Sequence, residues 1–293
     1  MKTLSEMAAA PTVEAKAPTQ KRPLPFNALI GGSLLIVLVV LVVLAVAGIV
    51  WTPYDPLRLD LANRFLAPSW SHILGTDEFG RDVFSRIIIG ARTSLWISLL
   101  TVLLAISIGT LFGLLAGYLR GWTDRLLMMV NDALLAFPGM LLALGLLAIV
   151  GASQYGIVLA LGLAYIPTVV RVVRSTVLSL REREFIEASR VIGNSELYTM
   201  WRHIAPNCVA PLIVLATSMF GWAILSESAL SFLGLGVPPP AATWGNMLAS
   251  SRPHLVTAPW LGFFPGLMIS IALIGINLFG DALRDRLDPR MSR

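Results

Sequence analysis

Long stretches without a charged residue alternate with short polar segments along this chain. Asp, Glu, Lys and Arg are absent from 23–54, 93–119, 133–170 and 253–280, and 203–251 contains only one of them, Glu227. A bilayer core requires about 20 consecutive apolar residues for one helix. Backbone polar groups in lipid must be paired within the segment itself, which favours helices for runs of this length. The pattern predicts an all-α membrane protein.

Six transmembrane helices are expected from these runs. The run 133–170 is long enough for two, because residues 151–156 read Gly-Ala-Ser-Gln-Tyr-Gly, a composition typical of a turn. The predicted spans are 28–51, 94–118, 126–150, 156–173, 209–233 and 260–281.

Two finer patterns accompany the first predicted spans. From Arg81 to Ile88 the apolar residues fall on one helix face, which predicts an amphipathic helix before the second span. It is expected either to lie at the outer interface or, as the favoured alternative, to pack on the bundle with no direct role. Within that span Gly109, Gly113 and Gly117 recur every fourth residue. Small residues on one face let another helix approach closely, so this face is predicted to be a packing surface.

Composition excludes a soluble protein and sets the orientation. The chain is 56% hydrophobic and 13% charged, against about 25% charged residues in soluble domains. With both termini inside, 16 of the 22 Lys and Arg residues lie on the inner side. This distribution follows the positive-inside rule, which explains the net charge of +5 better than nucleic-acid binding does. Residues 1–27 are predicted to be a disordered cytoplasmic tail.

A short polar stretch from Glu184 to Asn207 separates the fourth and fifth predicted spans. Glu184 and Glu187 come early in a predicted helix, where negative charge complements the positive end of the helix dipole. Gly193 is placed to end that helix, since glycine adopts the left-handed conformation of a helix C-terminus.

A second short helix is predicted to follow this glycine. Asn194 or Ser195 can cap it, and it is expected to run from Glu196 to His203. Pro206 suits the first turn of the next span. The two helices therefore predict an L-shaped cytoplasmic projection.

This stretch resembles the "EAA" loop of ATP-binding cassette (ABC) importer permeases, which reads Glu-Ala-Ala, three residues, Gly, nine residues, Ile, one residue, Leu-Pro. The matching positions are Glu187-Ala188-Ser189, Gly193, and His203 to Pro206. The glutamate, the first alanine, the glycine and the proline agree. Ser189, His203 and Ala205 depart from the pattern.

Further segments are similar to the dipeptide/oligopeptide/nickel transport family, and specifically to its C-type transmembrane subunit. They are His72–Arg86, Ser231–Pro239, Trp244-Gly245 and Asn277–Pro289. The resemblance covers about residues 28–290. It implies a type I ABC importer permease fold of six transmembrane helices with cytoplasmic coupling helices.

The resemblance also implies a division of the chain. Residues 28–51 would be an N-terminal anchor helix and 52–93 a periplasmic segment with the interfacial helix. A permease core would occupy 94–282, and a cytoplasmic tail 283–293. The core would include residues 182–206, which we call the coupling loop.

The partners implied by the resemblance are a paralogous permease subunit forming a heterodimer, two cytoplasmic ATPase subunits and an extracytoplasmic substrate-binding protein, in a bacterial inner membrane. ATP and Mg would be bound in the ATPase subunits, and no cofactor by this chain. The residues implied to couple it to the ATPase are Glu184, Phe185, Glu187, Ala188, Ser189, Gly193, His203 and Pro206. The cargo stays open among dipeptides, oligopeptides, glutathione-like compounds, opines and nickel chelates.

Two acids lie inside or near the spans and are candidates for function. Glu227, with Ser226 and Ser228, is expected to line the pathway, to contact the binding protein or to be an interfacial residue. Asp132 is expected to form a structural ion pair with Arg125 or Arg174.

Other chemistries find little support in the sequence. A secondary transporter coupled to ions or protons is the main alternative, but it would need internal repeats or paired acids at the midplane. An intramembrane enzyme lacks a nucleophile–base pair. The three histidines are far apart, so no metal site is predicted, and no phosphate-binding glycine loop is present.

Overall fold

The computed structural model describes residues 51–287, together with Val43 and Val46, and this part of the chain is helical. We number its helices α1 to α9. They are α1 (Val83–Leu119), α2 (Gly121–Leu135), α3 (Gly139–Val150), α4 (Gln154–Arg181), α5 (Glu184–Val191), α6 (Glu196–Thr199), α7 (Val209–Phe232), α8 (Trp244–Ser251) and α9 (Trp260–Leu287). A single isolated bridge, Thr76 to Asp82, is the only β-type pairing among these residues.

Four helices in this part of the chain are long and apolar enough to cross a membrane: α1, α4, the continuous helical stretch Glu196–Phe232, and α9. A fifth span results if α2 and α3 count as one broken element. The predicted anchor helix 28–51 and tail 1–27 lie outside the described residues, apart from Val43, Val46 and Trp51. The multi-span helical class is confirmed, whereas the count of six is not.

The predicted span 126–150 is broken near its middle. Two helices, α2 and α3, take its place and meet at 91°. Pro138 sits between them with an extended backbone (φ −55°, ψ 126°). A proline has no N–H to continue the helix ladder and disfavours helical conformation in the residue before it, which accounts for the break at Phe137.

The amphipathic helix predicted before the second span is not a separate interfacial element, and the alternative of a helix packed on the bundle agrees with the structure. Residues 83–93 form the first turns of α1, which continues without a break to Leu119. Asp82 caps this helix, because its carboxylate accepts the Ser85 N–H at 2.8 Å. Val83 and Ile87 are buried in one cluster with Met247 and Leu261, so this face packs on the bundle and not on a membrane surface.

The coupling loop runs into the following span without a separate boundary. A five-residue π-helical turn, Met200–Ile204, and a 3₁₀ turn, Ala205–Cys208, join α6 to α7. Pro206 has no N–H to offer a carbonyl four residues earlier, which favours the wider turn. The expected second helix and fifth span are therefore one irregular helical stretch.

The close packing predicted for the glycine stripe is confirmed. Gly109, Gly113 and Gly117 of α1 face Val169, Val173 and Val177 of α4, one glycine to each valine. A Cβ atom placed on any of the three glycines would fall within 2.7 Å of the valine Cβ opposite. The centre of the bundle is thus held by two helices at short distance.

The end of α1 farthest from the coupling loop is closed by α8. Trp244 is fully buried there, and its backbone N–H donates to Ser94 Oγ at 3.1 Å. Its indole N–H donates to the Ile87 carbonyl at 3.2 Å. Gly90 leaves space for this ring, since a Cβ there would lie 3.1 Å from it.

Candidate functional site

The first arm of the coupling loop is α5, and it ends in a glycine turn. Gly193 has φ +90°, a conformation that L side chains rarely adopt. Its N–H donates to the Arg190 carbonyl at 2.9 Å, and the Asn194 N–H donates to the Ser189 carbonyl at 3.2 Å. These two bonds form a Schellman C-cap, which sets the direction in which the chain leaves α5.

The second arm begins two residues later. The Ser195 hydroxyl accepts the Tyr198 N–H at 3.2 Å and so caps α6. The helix ending at Gly193 and the cap near 194–195 were both expected from the sequence. The structure thus brings Glu184, Glu187 and Gly193 together in one two-armed projection.

Ser189 connects the two arms, although it departs from the family motif. Its hydroxyl lies 3.1 Å from the Thr199 hydroxyl, in a pair that solvent does not reach. The Asn194 side-chain amide donates to the same Ser189 oxygen at 3.1 Å. Since Thr199 is fully buried, its hydroxyl needs this partner. The serine therefore fixes the angle between α5 and α6.

Apolar side chains on the inner face of the coupling loop attach it to the bundle. Ile186, Met200 and Ile204 belong to one buried cluster with Val177 and Cys208. Burial of three large side chains on one loop anchors it much more firmly than its polar composition suggests.

The outer face of the coupling loop exposes both charge and apolar surface. Glu184, Glu187 and Ala188 are exposed. Val191 and Ile192 are 82% and 79% exposed. The remaining exposed large apolar residues of this region are Phe185, Leu197, Tyr198 and Trp201. Exposed apolar side chains concentrated in one short segment are typical of an interaction site.

His203 and Pro206 lie in the last part of the coupling loop, where it joins α7. His203 is half-buried within the π-helical turn, 5.8 Å from the Tyr198 ring between centroids. Its carbonyl accepts the Asn207 side-chain amide at 2.6 Å. His203 lies in the π-helical turn and Pro206 in the 3₁₀ turn through which the coupling loop continues into α7.

Sequence reasoning missed a polar cluster behind the coupling loop. Tyr118, at the end of α1, donates its hydroxyl to Glu196 of α6. Arg181 of α4 donates to the backbone carbonyls of Gly117 and Tyr118. Tyr118 lies next to the last residue of the charge-free run 93–119. A tyrosine at the end of such a run was the signal in the sequence that could have pointed to a polar contact. Its partners are 63 and 78 residues away, so only the fold reveals them.

The three predicted pathway residues do not share an exposed face. Glu227 is 0% exposed, and its Oε1 accepts the Ser231 hydroxyl at 2.9 Å. Ser228 is buried and donates to the Ile224 carbonyl. Ser226 forms a 2.9 Å hydrogen bond with the Tyr165 hydroxyl. Within the described chain, the Glu227 side chain is buried between its own helix, α7, and the start of α8.

The expected ion pair of Asp132 has a different partner. Arg171 donates to it at 2.9 Å, and both side chains are more than half exposed. Arg174 is instead occupied by Asp124, through two bonds of 2.6 and 2.7 Å. Residues 171 and 174 lie less than one turn apart on α4, a difference that the sequence alone could not resolve.

Comparison with known proteins gives a consistent family. Residues 109–293 match the sequence model described as "Binding-protein-dependent transport system inner membrane component". A putative peptide transport system permease protein of Brucella suis is 48% identical over 228 residues, which cover 78% of this chain and 77% of the relative. A di/tripeptide transport system permease protein of Pseudomonas aeruginosa is 42% identical over 268 residues, 89% of this chain and 88% of the relative.

Two further comparisons extend this result. A glutathione transport system permease protein of Pectobacterium atrosepticum is 43% identical over 224 residues, covering 76% of this chain and 74% of that protein. A chain from an inward-facing structure of the MetNI methionine ABC transporter has a TM-score of 0.58 at 16% identity. It matches 69% of this chain and 96% of its own length, which is a likeness of fold.

Proposed function

Because the chain belongs to the family of binding-protein-dependent transport system inner membrane components, we propose that it forms half of the translocation pathway of an ABC importer for peptides or related small solutes. It is a multi-pass membrane permease subunit. Support for the cargo comes from the relatives, whose names specify peptides, di- and tripeptides, and glutathione. None of these names mentions nickel. The family match does not favour a secondary transporter.

The observation that carries the coupling proposal is the two-sided construction of the coupling loop. Its inner face is fastened to the bundle by Ile186, Met200 and Ile204, while its outer face exposes carboxylates beside large apolar side chains. A projection that is firmly attached to the bundle and exposes apolar side chains beside carboxylates is suited to bind in a groove on another protein. We place Glu184, Phe185, Glu187 and Ala188 in that contact.

The remaining coupling residues act on the shape of the projection in this proposal. Ser189 and Gly193 set the angle between α5 and α6. His203 and Pro206 set its connection to α7. An ATPase subunit that moves the loop would thereby move α7, since helical structure is continuous from Glu196 to Phe232.

The proposed assembly has a paralogous permease as heterodimer partner, two ATPase subunits below and an extracytoplasmic binding protein above. ATP and Mg are placed in the ATPase subunits and no cofactor in this chain, in agreement with a sequence that has no phosphate-binding glycine loop. The coupling loop and both termini are placed in the cytoplasm. Basic residues within the loop and in the helix before it support this orientation. They include Arg171, Arg174, Arg181, Arg183 and Arg190.

Charge reversal and glycine replacement in the coupling loop test the proposal. Glu187→Arg puts a cation on the contact face, and Gly193→Trp forces φ +90° on a bulky side chain. In the complete transporter reconstituted in nanodiscs, we expect both variants to lose ATPase stimulation by the binding protein. The ATPase subunits should also fail to co-purify with the Glu187→Arg variant.

Two matched variants serve as controls. Glu182→Arg reverses an exposed charge that precedes α5 and should keep stimulation. Gly193→Asn should keep most of it, since asparagine is the second choice at a left-handed helix end. Normal stimulation in both Glu187→Arg and Gly193→Trp would refute ATPase coupling through this loop.

A further inference from the structure

Four helices meet at the inner end of α1. Arg181 of α4 donates to the carbonyls of Gly117 and Tyr118, which belong to the last turn of α1 and have no partner within that helix. The same guanidinium lies 5.2 Å from the centroid of the Tyr118 ring. The end of α1 is therefore fastened to α4 by a cation.

The Tyr118 side chain continues this contact into the coupling loop. Its hydroxyl donates to Oε2 of Glu196, the first residue of α6. Arg190 of α5 approaches the same carboxylate oxygen at 3.7 Å. One tyrosine thus joins α1 to both arms of the loop, through a carboxylate that α5 also holds.

The ring and the hydroxyl of Tyr118 make different contacts. The residue is 3% exposed, and the ring packs in the cluster that contains Val177, Ile186 and Ile204. Loss of the hydroxyl alone would leave that packing in place. The apolar anchors hold the loop onto the bundle, whereas the hydroxyl bond adds a directional tie between α6 and α1.

We propose that Tyr118 is a positioning residue for transport, which ties the coupling loop to α1 so that a movement of the loop is passed to the bundle. This inference rests on the proposed function, because it assumes that the loop is moved by an ATPase. The loop is already joined along the chain to α4 before it and to α7 after it. The Tyr118 bond adds α1, the helix whose glycine stripe packs on α4.

The test is Tyr118→Phe in the complete transporter with its ATPase subunits and binding protein. We expect co-purification of the ATPase and its basal activity to be unchanged, because the outer face of the loop is untouched. Stimulation of ATP hydrolysis by the ligand-loaded binding protein should fall about fivefold, the lower end of the range for coupling between linked sites. Tyr54→Phe is the control, since its hydroxyl bonds the Ser71 carbonyl near the other end of α1.

Variants of the partner residue make the test specific. Glu196→Gln keeps an acceptor for the tyrosine and should retain most of the stimulation, whereas Glu196→Ala should match Tyr118→Phe. The double variant Tyr118→Phe/Glu196→Ala should be no worse than either single change, because both remove the same bond.

The outcomes separate this inference from the proposed function. Normal stimulation in Tyr118→Phe, or effects that add in the double variant, would overturn the inference. Loss of basal activity or of ATPase co-purification in Tyr118→Phe would overturn it too, since the hydroxyl would then serve folding or docking. If Gly193→Trp still disrupts stimulation in these cases, only the inference has failed. If Gly193→Trp and Glu187→Arg are also normal, the proposed function itself is wrong.

Discussion

Replacing Gly113 with alanine tests the contact on which the packing of α1 against α4 depends. A Cβ at this position would lie 2.6 Å from Val173 Cβ and 2.9 Å from the Val170 carbonyl oxygen. Favourable contact between carbon atoms occurs at about 3.5–4.0 Å. Both neighbours are backbone atoms or attached directly to the backbone, so a change of side-chain rotamer relieves neither clash.

The expected cost follows from these distances. Overpacking a well-packed interior costs about 1–3 kcal/mol, and the fixed position of both neighbours places Gly113→Ala at about 3 kcal/mol. Alanine recovers about 1 kcal/mol through its better helix propensity. The net loss of about 2 kcal/mol lowers the ratio of folded to unfolded protein by about 30-fold. It should lower the thermal midpoint by about 5 °C.

The assay is the fraction of purified protein that stays monodisperse in detergent after heating, compared with Gly145→Ala. Gly145 lies inside α3 with nothing within 4 Å of its would-be Cβ. Its replacement should leave the midpoint unchanged or raise it slightly, since only helix propensity is altered. Equal midpoints for Gly113→Ala and Gly145→Ala would refute the close approach of α1 and α4.

Substitutions at three further positions test polar contacts. Ser189→Ala leaves the buried Thr199 hydroxyl without its partner, at a cost of about 1–3 kcal/mol. Trypsin should therefore cleave the coupling loop faster, and unchanged cleavage would contradict the link between its arms. Glu227→Gln should keep wild-type thermal stability, whereas Glu227→Leu should lose about 2 kcal/mol because the buried Ser231 hydroxyl loses its acceptor. Equal stability of the two variants would show that the carboxyl has no structural role. Asp132→Asn breaks an exposed ion pair and should change the stability by less than about 1 kcal/mol, and a larger loss on heating would show that this pair is shielded from water.

Features that depend on neighbours along the chain could be predicted from the sequence. The left-handed turn at Gly193 and the cap at Ser195 both follow from residues within one helical turn. The glycine stripe of α1 was identified as a packing surface because its spacing is visible in the sequence. The valines of α4 that fill it, 60 residues later, were not.

Features that depend on tertiary contacts escaped prediction. For Glu227 the sequence left a pathway position, a contact with the binding protein and an interfacial position open, because a lone acid in an apolar run suggests function without locating it. The fold buries this carboxylate, whose Oε1 accepts the Ser231 hydroxyl and whose Oε2 lies close to Gly245 of α8. The apolar face of residues 81–88 suits either a membrane surface or the bundle, and only the contacts with α8 and α9 decide for the bundle.

The helices of the described chain differ in how closely they pack and in how many side chains they bury. Close glycine contacts join α1 to α4, while polar bonds close α1 against Trp244 at one end and Glu196 at the other. In contrast, α2 buries only Asn131, and α3 only two residues, Ala143 and Leu147. The apolar side chains left exposed on α2, on α3 and between them include Trp122, Leu126, Met129, Val130, Phe137, Leu141 and Ile149. The contacts therefore group α1 with α4, and the bent pair α2 and α3 offers apolar surface for contacts beyond this part of the chain, as the outer face of the coupling loop also does.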